Sequence, residues 1–484
     1  MASPLHASSS TFKNINDLQI SPAGNVYEVP DYTINNPLAP IYGVPNYGPR
    51  HMKVITAWKK KLGNIFEKYG YCPMDPRPVE FAHNLQRTNG STKVLYGVNR
   101  LTDNKLTKLG LPFDKTASLA IMAAQQHSTI TFPYARYDIG WAFRGEHAIT
   151  GRCHTFVQCD VDIIDKALTA SSDAQCIVAI IKGLQSLGVQ NCNVFLNHLG
   201  IARAFMRKEG IHSDHYTDVL RTIDKLKPNK NEAEIVKELC EKAPELTPER
   251  AQNLLSKISY RGPLSGFKFS NDPGQEAWEA YHHLCEVESI AVLMGIPKEM
   301  LQFGPNLTRG LNYYTGVVFE TFISGKEKYG SIASGGRYDD LIPSLDANVK
   351  LQGMGGSIGL TRLFDVMQAE NLLDLSKQTV AQVFVGYGNK NCLQKAINVA
   401  NSMREMGINT EFHTSERPVE DQIKLANDKG IPYSLILMNE NDIILNRNES
   451  SSEGNAVPNS FSSANEAAVY LKEILAKESR EKHS

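Results

Sequence analysis

The chain has 484 residues, 42% hydrophobic and 21% charged, with a formal net charge of −1; that length exceeds what one hydrophobic core supports and implies two to four domains of ordinary globular composition. Near-neutrality excludes a non-specific polyanion coat, and no apolar run approaches the ~18–20 residues of a membrane-spanning helix. Eight scattered cysteines without a C-x-x-C pair argue against a structural zinc site and for free thiols in a reducing, cytoplasmic location.

Residues 1–40 are polar, rich in Asn, Ser and Pro, and lack both the apolar core of a secretory signal and the arginines of a typical organellar presequence. They read as a flexible extension. The stretch HMKVITAWKKKLGNIFEKYGY then places Val54, Trp58, Leu62, Ile65, Phe66 and Tyr69 at three- and four-residue spacing. This predicts an amphipathic helix that Gly70 ends. Residues 71–205 alternate helical and β-rich runs.

Within them, FRGEHAITGRCHTFVQCDVDIID (Phe143 to Asp165) predicts a hairpin. Arg144 and Glu146 share a face of the incoming strand, HAITG turns, and Arg152 follows. Beyond it the alternation is strict: Val157, Cys159, Val161 and Ile163 face one way, and Phe156, Gln158, Asp160 and Asp162 the other. A half-buried strand with a solvated outer face has the same pattern. Alternatively, an arginine fork suits phosphate oxygens, Phe156 can stack a base, and Asp162 can hold a cation or an N–H group.

Charged helical sequence from about Arg203 to Tyr260 reads as a helical subdomain inserted into something larger, with a basic corner at Lys225 to Lys230. Strand-like, glycine-punctuated sequence returns at 307–364. There TRGLNYYTG (Thr308 to Gly316), taken alone, is a turn into a strand whose aromatics fill a core. GMGGSIG (Gly353 to Gly359) has the wrong spacing for a dinucleotide loop and no acidic residue placed for a ribose, so it is read as allowing close backbone packing. His282-His283 has no carboxylate or cysteine at ligand spacing. Lys377–Gln378 is read as a hinge. After it, VAQVFVGY, NTEFHT and YSLILMN are strands, LQKAINVANSMREMG and VEDQIKLANDKG are helices, and a final helix lies within ANEAAVYLKEILAKESREK. This is a compact α/β module with βαβ crossovers, and residues 446–460 form a polar loop.

The pattern R-x-E…G-R-x-x-x-F-x-Q-x-x-x-D from Arg144 to Asp162 resembles motif 2 of class II aminoacyl-tRNA synthetases in its histidyl form. RPVE (Arg77 to Glu80) resembles motif 1, whose Pro78 would lie at a dimer interface, and GLTRLF (Gly359 to Phe364) resembles motif 3. TRGLNYYTG and ASGGRYDDL (Ala333 to Leu341) resemble the two histidine-specific peptides, and the C-terminal module resembles the family's anticodon-binding domain. The likeness spans about 40–480. It implies an α+β fold: an antiparallel-sheet class II synthetase catalytic domain over 41–376 with a helical insertion at about 203–262. An α/β anticodon-binding domain over 377–484 would follow, residues 1–40 remaining a flexible extension.

The resemblance implies a histidine–tRNA ligase, an ATP-dependent enzyme and homodimer that activates histidine to histidyl-adenylate and transfers it to tRNA(His). Arg144 and Arg309 would be catalytic, facing the α-phosphate from two sides. ATP would be bound by Arg144, Glu146, Arg152, Phe156 and Arg362, with Mg²⁺ on the triphosphate and no metal held by the chain itself. Histidine would be bound by Asp114, Thr116, Gln158, Asp162, Arg309, Tyr314 and Tyr338, with Tyr314 rather than Tyr313 facing it. The alternative is a catalytically altered paralogue serving as a regulatory histidine-binding subunit; that subunit usually lacks the C-terminal module retained here. Departures from the family spelling are Lys115 in LPFDKT, His154, Asn312, Asp340, Thr361, and Ile149 in the motif 2 loop.

Overall fold

The computed structural model describes residues 41–89, 94–100, 102, 108–145, 153–223, 232–270, 272–307, 313–413, 417–439, 442–448 and 459–481. The chain divides into two units, Met1–Tyr42 and Gly43–Ser484, and every element below belongs to the second.

Helix α1 (Pro49–Lys68) begins with proline, whose fixed φ suits a first turn where no N–H is needed. It buries Ile55, Trp58, Leu62 and Phe66 as one stripe, and Gly70 follows with φ 81°. The stripe is rotated slightly from expectation: Ile55 is buried, while Val54, Ile65 and Tyr69 are only partly covered. Short strands β1 (Cys72–Pro73) and β2 (Glu80–Phe81), helix α2 (Ala82–Asn89), and strands β3 (Gly97–Val98) and β4 (Leu109–Gly110) lead to α3 (Lys115–Gln126). Asp114 caps α3, accepting the Ala117 amide at 2.7 Å.

A hairpin is present, but its incoming strand lies earlier than expected: β5 (Tyr134–Phe143) ends before Arg144 and pairs with β6 (Thr155–Asp165) from Tyr134↔Ile164 to Phe143↔Thr155. Next come α4 (Ala170–Ser186), β7 (Cys192–His198), α5 (Leu199–Lys208), α6 (Tyr216–Ile223), α7 (Glu232–Lys242), α8 (Pro248–Ile258) and α9 (Gln275–Leu293). Strands β8 (Leu301–Phe303), β9 (Val317–Ile323) and β10 (Ala333–Arg337), helix α10 (Leu341–Leu345), strand β11 (Gln352–Gly359) and helix α11 (Leu360–Ala369) complete this part.

Eight strands form one sheet in the order β1-β5-β6-β11-β10-β9-β7-β8. It is antiparallel except at its margins, where β1 joins β5 and β8 joins β7 in parallel. The expected α+β class with an antiparallel sheet is therefore what the chain builds. Val157, Cys159, Val161, Phe319, Met354 and Ile358 line one face and pack with α1 and α4 in a single apolar cluster. Val219, Ile235, Leu239 and Leu254 from the charged helical segment belong to the same cluster, so those helices extend the main core rather than building their own. The basic corner at 225–230 lies outside the described residues.

Strand β6 departs from the half-solvated reading. Gln158, Asp160 and Asp162 are 8%, 2% and 0% exposed, so its polar face is buried as deeply as its apolar one.

A second sheet holds β12 (Val383–Tyr387), β13 (Thr410–Phe412), β14 (Tyr433–Asn439), β15 (Asp442–Arg447) and β16 (Asn459–Phe461), in the order β13-β12-β14-β15-β16. Helices α12 (Leu393–Glu405), α13 (Val419–Lys429) and α14 (Ala464–Glu481) accompany it, α12 and α14 in one apolar cluster and α13 in another, both separate from the main core. The first three strands pair in parallel as βαβ crossovers require, but β15 and β16 add antiparallel edges. The segment read as a loop from 446 to 460 thus begins and ends in strands; its middle, 449–458, lies outside the described residues. The expected hinge at Lys377–Gln378 is tied on both sides. Arg50 Nη1 donates to the Leu375 and Ser376 carbonyls at 2.8 and 2.7 Å, and the Gln378 amide donates to Lys429 O at 3.0 Å.

Candidate active site

Register decides which side chains meet above the large sheet. Gln158, Asp160 and Asp162 of β6 lie opposite Gly140, Asp138 and Arg136 on one flank, and Gly359, Ser357 and Gly355 on the other. One face of three strands therefore gathers all of them. Glycines keep this face low. A methyl on Gly355 would sit 2.0 Å from Asp162 Oδ1, and one on Gly353 would sit 1.9 Å from the Tyr338 ring. Gly336 likewise leaves room for Tyr314, whose Cδ1 would be 2.8 Å from an added methyl. The glycines of Gly353–Gly359 do what close packing requires: they let a tyrosine lie on bare backbone.

A buried charge ladder fills the floor. Tyr338 Oη donates to Asp162 Oδ1 at 2.6 Å, and Arg136 Nη2 pairs with Asp162 Oδ2 at 2.7 Å. Arg136 also lies 3.9 Å from Asp138, which Lys115 Nζ approaches to 3.1 Å. Ser357 Oγ donates to Asp160 Oδ1 at 2.5 Å and accepts from Gln158 Nε2 at 3.0 Å. Burial raises the Asp162 carboxyl, opposed by Arg136 and the Tyr338 hydroxyl. Burial also pushes Asp160 up to about 8, with Arg136 and Ser357 opposing and Asp162 and Asp138 adding. For Arg136, burial alone would lower the pKa, but Asp162, Asp160 and Asp138 outweigh it and the guanidinium stays firmly charged.

The expected ligand residues are placed unevenly. Arg144 follows β5, donates through Nε to Phe113 O at 3.0 Å and stacks over the Phe156 ring at 5.1 Å. One face of Phe156 is thus covered by arginine in this structure. Asp114 is buried and committed on both oxygens, to the Ala117 amide and to Tyr313 Oη at 3.1 Å. Burial raises its pKa, against the amide, Arg144 and Tyr313. Thr116 lies half-buried in the first turn of the helix that Asp114 caps. Gln158 presents a buried Oε1 with no hydrogen-bond partner among the described residues. Arg362 opens α11 and donates to Ser331 O at 2.9 Å. Glu146, Arg152, Arg309 and Asn312 lie outside the described residues, as does Ile149.

Three placements show partners that the sequence alone does not reveal. Asp162 and Tyr338, expected among the histidine-binding residues, are fully buried, and Asp162 is engaged by both Tyr338 and Arg136. Tyr313, expected to face away, packs its ring 6.0 Å from Tyr338 and bonds Asp114, while Tyr314 lies half-buried over Gly336. His283, which has no carboxylate or cysteine at ligand spacing in the sequence, has Asp173 Oδ2 2.7 Å from its Nε2; that aspartate comes from α4, far away in sequence.

The family departures have local partners. Lys115 neutralises Asp138. Thr361 Oγ1 accepts the buried Val157 amide at 2.9 Å. The His154 ring lies against Gly43, where a methyl would sit 2.8 Å away and φ is 70°. Sequence reasoning missed Arg136, Asp138 and Ser357. The R-x-D spacing in YARYDIG, facing D-x-D in the next strand, is the signal that could have found the first two.

A family model described as histidyl-tRNA synthetase matches residues 43–363. The histidine–tRNA ligase of Wolinella succinogenes is 30% identical over 395 residues, covering 80% of this chain and 88% of that one. Among solved structures, a histidyl-tRNA synthetase from a Nostoc species superposes with TM-score 0.76 at 25% identity, covering 90% and 99% of the two chains. An ATP phosphoribosyltransferase regulatory subunit/histidyl-tRNA synthetase from Bacillus halodurans shares the fold, with TM-score 0.67 at 17% identity over 84% and 99%. An antiparallel sheet thinned by glycine beneath two tyrosines, an arginine stacked on Phe156, and a match running through all the motif segments from 43 to 363 converge on one conclusion: this chain belongs to the histidyl-tRNA synthetase family.

Proposed function

We propose that the chain is a histidine–tRNA ligase that uses ATP. A carboxylate oxygen of histidine attacks the α-phosphorus of ATP, the α–β phosphoanhydride bond breaks, and pyrophosphate leaves. A ribose hydroxyl of the terminal adenosine of tRNA(His) then attacks the histidyl carbonyl, yielding its proton as AMP departs. The observation that carries this reading in a chain of this family is Gln158 Oε1, buried on the sheet face with no hydrogen-bond partner among the described residues. A buried acceptor left open costs about 1–3 kcal/mol unless a ligand donor meets it, and the histidine ammonium is such a donor.

Arg144 and Arg309 neutralise charge growing between two anionic oxygens, which is where a fixed cation lowers a barrier most. Glu146, Arg152, Phe156 and Arg362 hold ATP. For Phe156 to take adenine on its covered face, Arg144 swings from the ring to the phosphate. Asp114, Thr116, Gln158 and Tyr314 border histidine, with Asp162 and Tyr338 fixing the floor. Mg²⁺ arrives on the triphosphate. Among the described residues no three carboxylates, histidines or thiols are gathered to cage a metal, and no step is assigned to it.

The domain assignment follows the family: catalytic over 41–376 with the helical insertion, anticodon-binding over 377–484. We place the homodimer contact at Arg77–Glu80, where Pro78 is exposed, and the enzyme in the cytoplasm; no helix among the described residues is long and apolar enough to cross a membrane. A regulatory paralogue is disfavoured because the second sheet is retained. Attachment of labelled histidine to tRNA(His) by the purified chain tests the reading, and a failure to charge at high enzyme concentration refutes it. Arg309→Ala is expected to abolish activation while histidine still binds.

A further inference from the structure

Two side chains beneath Gln158 have no part in the reaction as written. Ser357 Oγ lies 2.5 Å from Asp160 Oδ1 and 3.0 Å from Gln158 Nε2. A serine hydroxyl carries one proton. Against a carboxylate it must donate that proton, so towards Gln158 it can only accept. The carboxamide end bonded to Ser357 is therefore the NH₂, and Oε1 is the end left over, buried and without a hydrogen-bond partner among the described residues.

We propose that Asp160 and Ser357 are positioning residues that hold the Gln158 carboxamide with its carbonyl oxygen towards the substrate, ready to accept from the ammonium of an amino acid. The inference rests on the ligase reading, which puts Gln158 beside the histidine ammonium. Without the relay the amide is free to turn, and its NH₂ would then repel a cation and suit a carboxylate. The relay thus sets which end of the amino acid this position reads, and it makes discrimination depend on a residue that never touches substrate.

The groups facing Asp160 are Asp138 and Arg136 from β5, Asp162 and Gln158 from its own strand, and Ser357 from β11, with Lys115 from α3 paired to Asp138. Protonated, Asp160 could donate to Ser357 and release the serine proton to Gln158 Oε1, reversing the relay. Burial places that change near neutrality, at about 8, so the carboxylate that drives the observed order gains with rising pH.

The test compares three ligands by calorimetry on the full chain: histidine, histidinol (ammonium without carboxylate) and imidazole-4-propionate (carboxylate without ammonium). Ser357→Ala is expected to weaken histidine and histidinol about tenfold, the usual loss for one bond to a charged group, and imidazole-propionate by less than about twofold. Asp160→Asn, which keeps size, is expected to weaken the same two ligands. In the wild type, the preference for histidinol over imidazole-propionate rises from about pH 6.5 to 8.5, and Asp160→Asn flattens it. Equal weakening of all three ligands, no weakening of any, or a flat wild-type preference overturns the relay. Failure of the wild-type chain to bind histidine at all would instead refute the ligase reading.

Discussion

Replacing Arg136 by methionine tests the buried ladder most severely. The guanidinium has no solvent exposure, lies 2.7 Å from Asp162 and 3.9 Å from Asp138, and lowers the pKa of both Asp160 and Asp162. At an effective dielectric of about 20, the 2.7 Å contact is worth roughly 6 kcal/mol before desolvation is subtracted. Removing one partner of such a pair costs about 3–5 kcal/mol net, because the other charge stays buried. Arg136→Met leaves Asp138 with Lys115 at 3.1 Å and removes the cation that lowers the pKa of both Asp160 and Asp162. The sign with pH follows. Folded-state carboxyls raised above their ordinary value are best tolerated below that value and cost more as pH climbs through the raised one. The variant's deficit is therefore largest near pH 8 and shrinks towards pH 5. Urea unfolding followed by tryptophan fluorescence reads this directly, since Trp58 lies in the core beneath the same sheet. A deficit below about 1 kcal/mol, or one identical at pH 8, 6.5 and 5, would refute the reasoning.

Other perturbations follow from single contacts. Gly353→Ala drives a methyl into the Tyr338 ring, which would lie 1.9 Å away; about 1–3 kcal/mol of stability is lost, and histidine affinity falls with it in a thermal-shift titration. Burial pulls His198 down to about 3, with His283, Arg203 and Arg337 adding to the effect. It is neutral when folded and ordinary when unfolded, so its contribution is complete above about pH 6.5 and fades on acidification, by about 2 kcal/mol at pH 5. His198→Gln should flatten the acid limb of a stability-against-pH curve. Thr361→Val orphans the Val157 amide and is expected to cost about 1–3 kcal/mol in urea.

Local pattern made much of this legible. The hairpin of β5 and β6, the glycine-rich β11 and the βαβ start of the second sheet all follow from alternation and glycine placement, which act over a few residues. What alternation cannot reveal is what lies opposite. Asp162 looked like an open carboxylate because its partner Tyr338 is 176 residues away. In the sequence Asp114 reads only as a ligand; its place before Lys115 also makes it a helix cap, and Tyr313 bonds its other oxygen from 199 residues away. Strand β15, DIILNR, was hidden by its polar ends and by the polar sequence after it. The departures Lys115 and Thr361 were unreadable alone, because Asp138 and the Val157 amide explain them only after folding.

The central claim is that this chain activates histidine with ATP. Histidine-dependent exchange of labelled pyrophosphate into ATP by the purified protein tests it most directly. The account predicts exchange that requires histidine and is lost in Arg144→Ala. Exchange that is absent at high protein and histidine concentrations, or that proceeds equally without histidine, would contradict it.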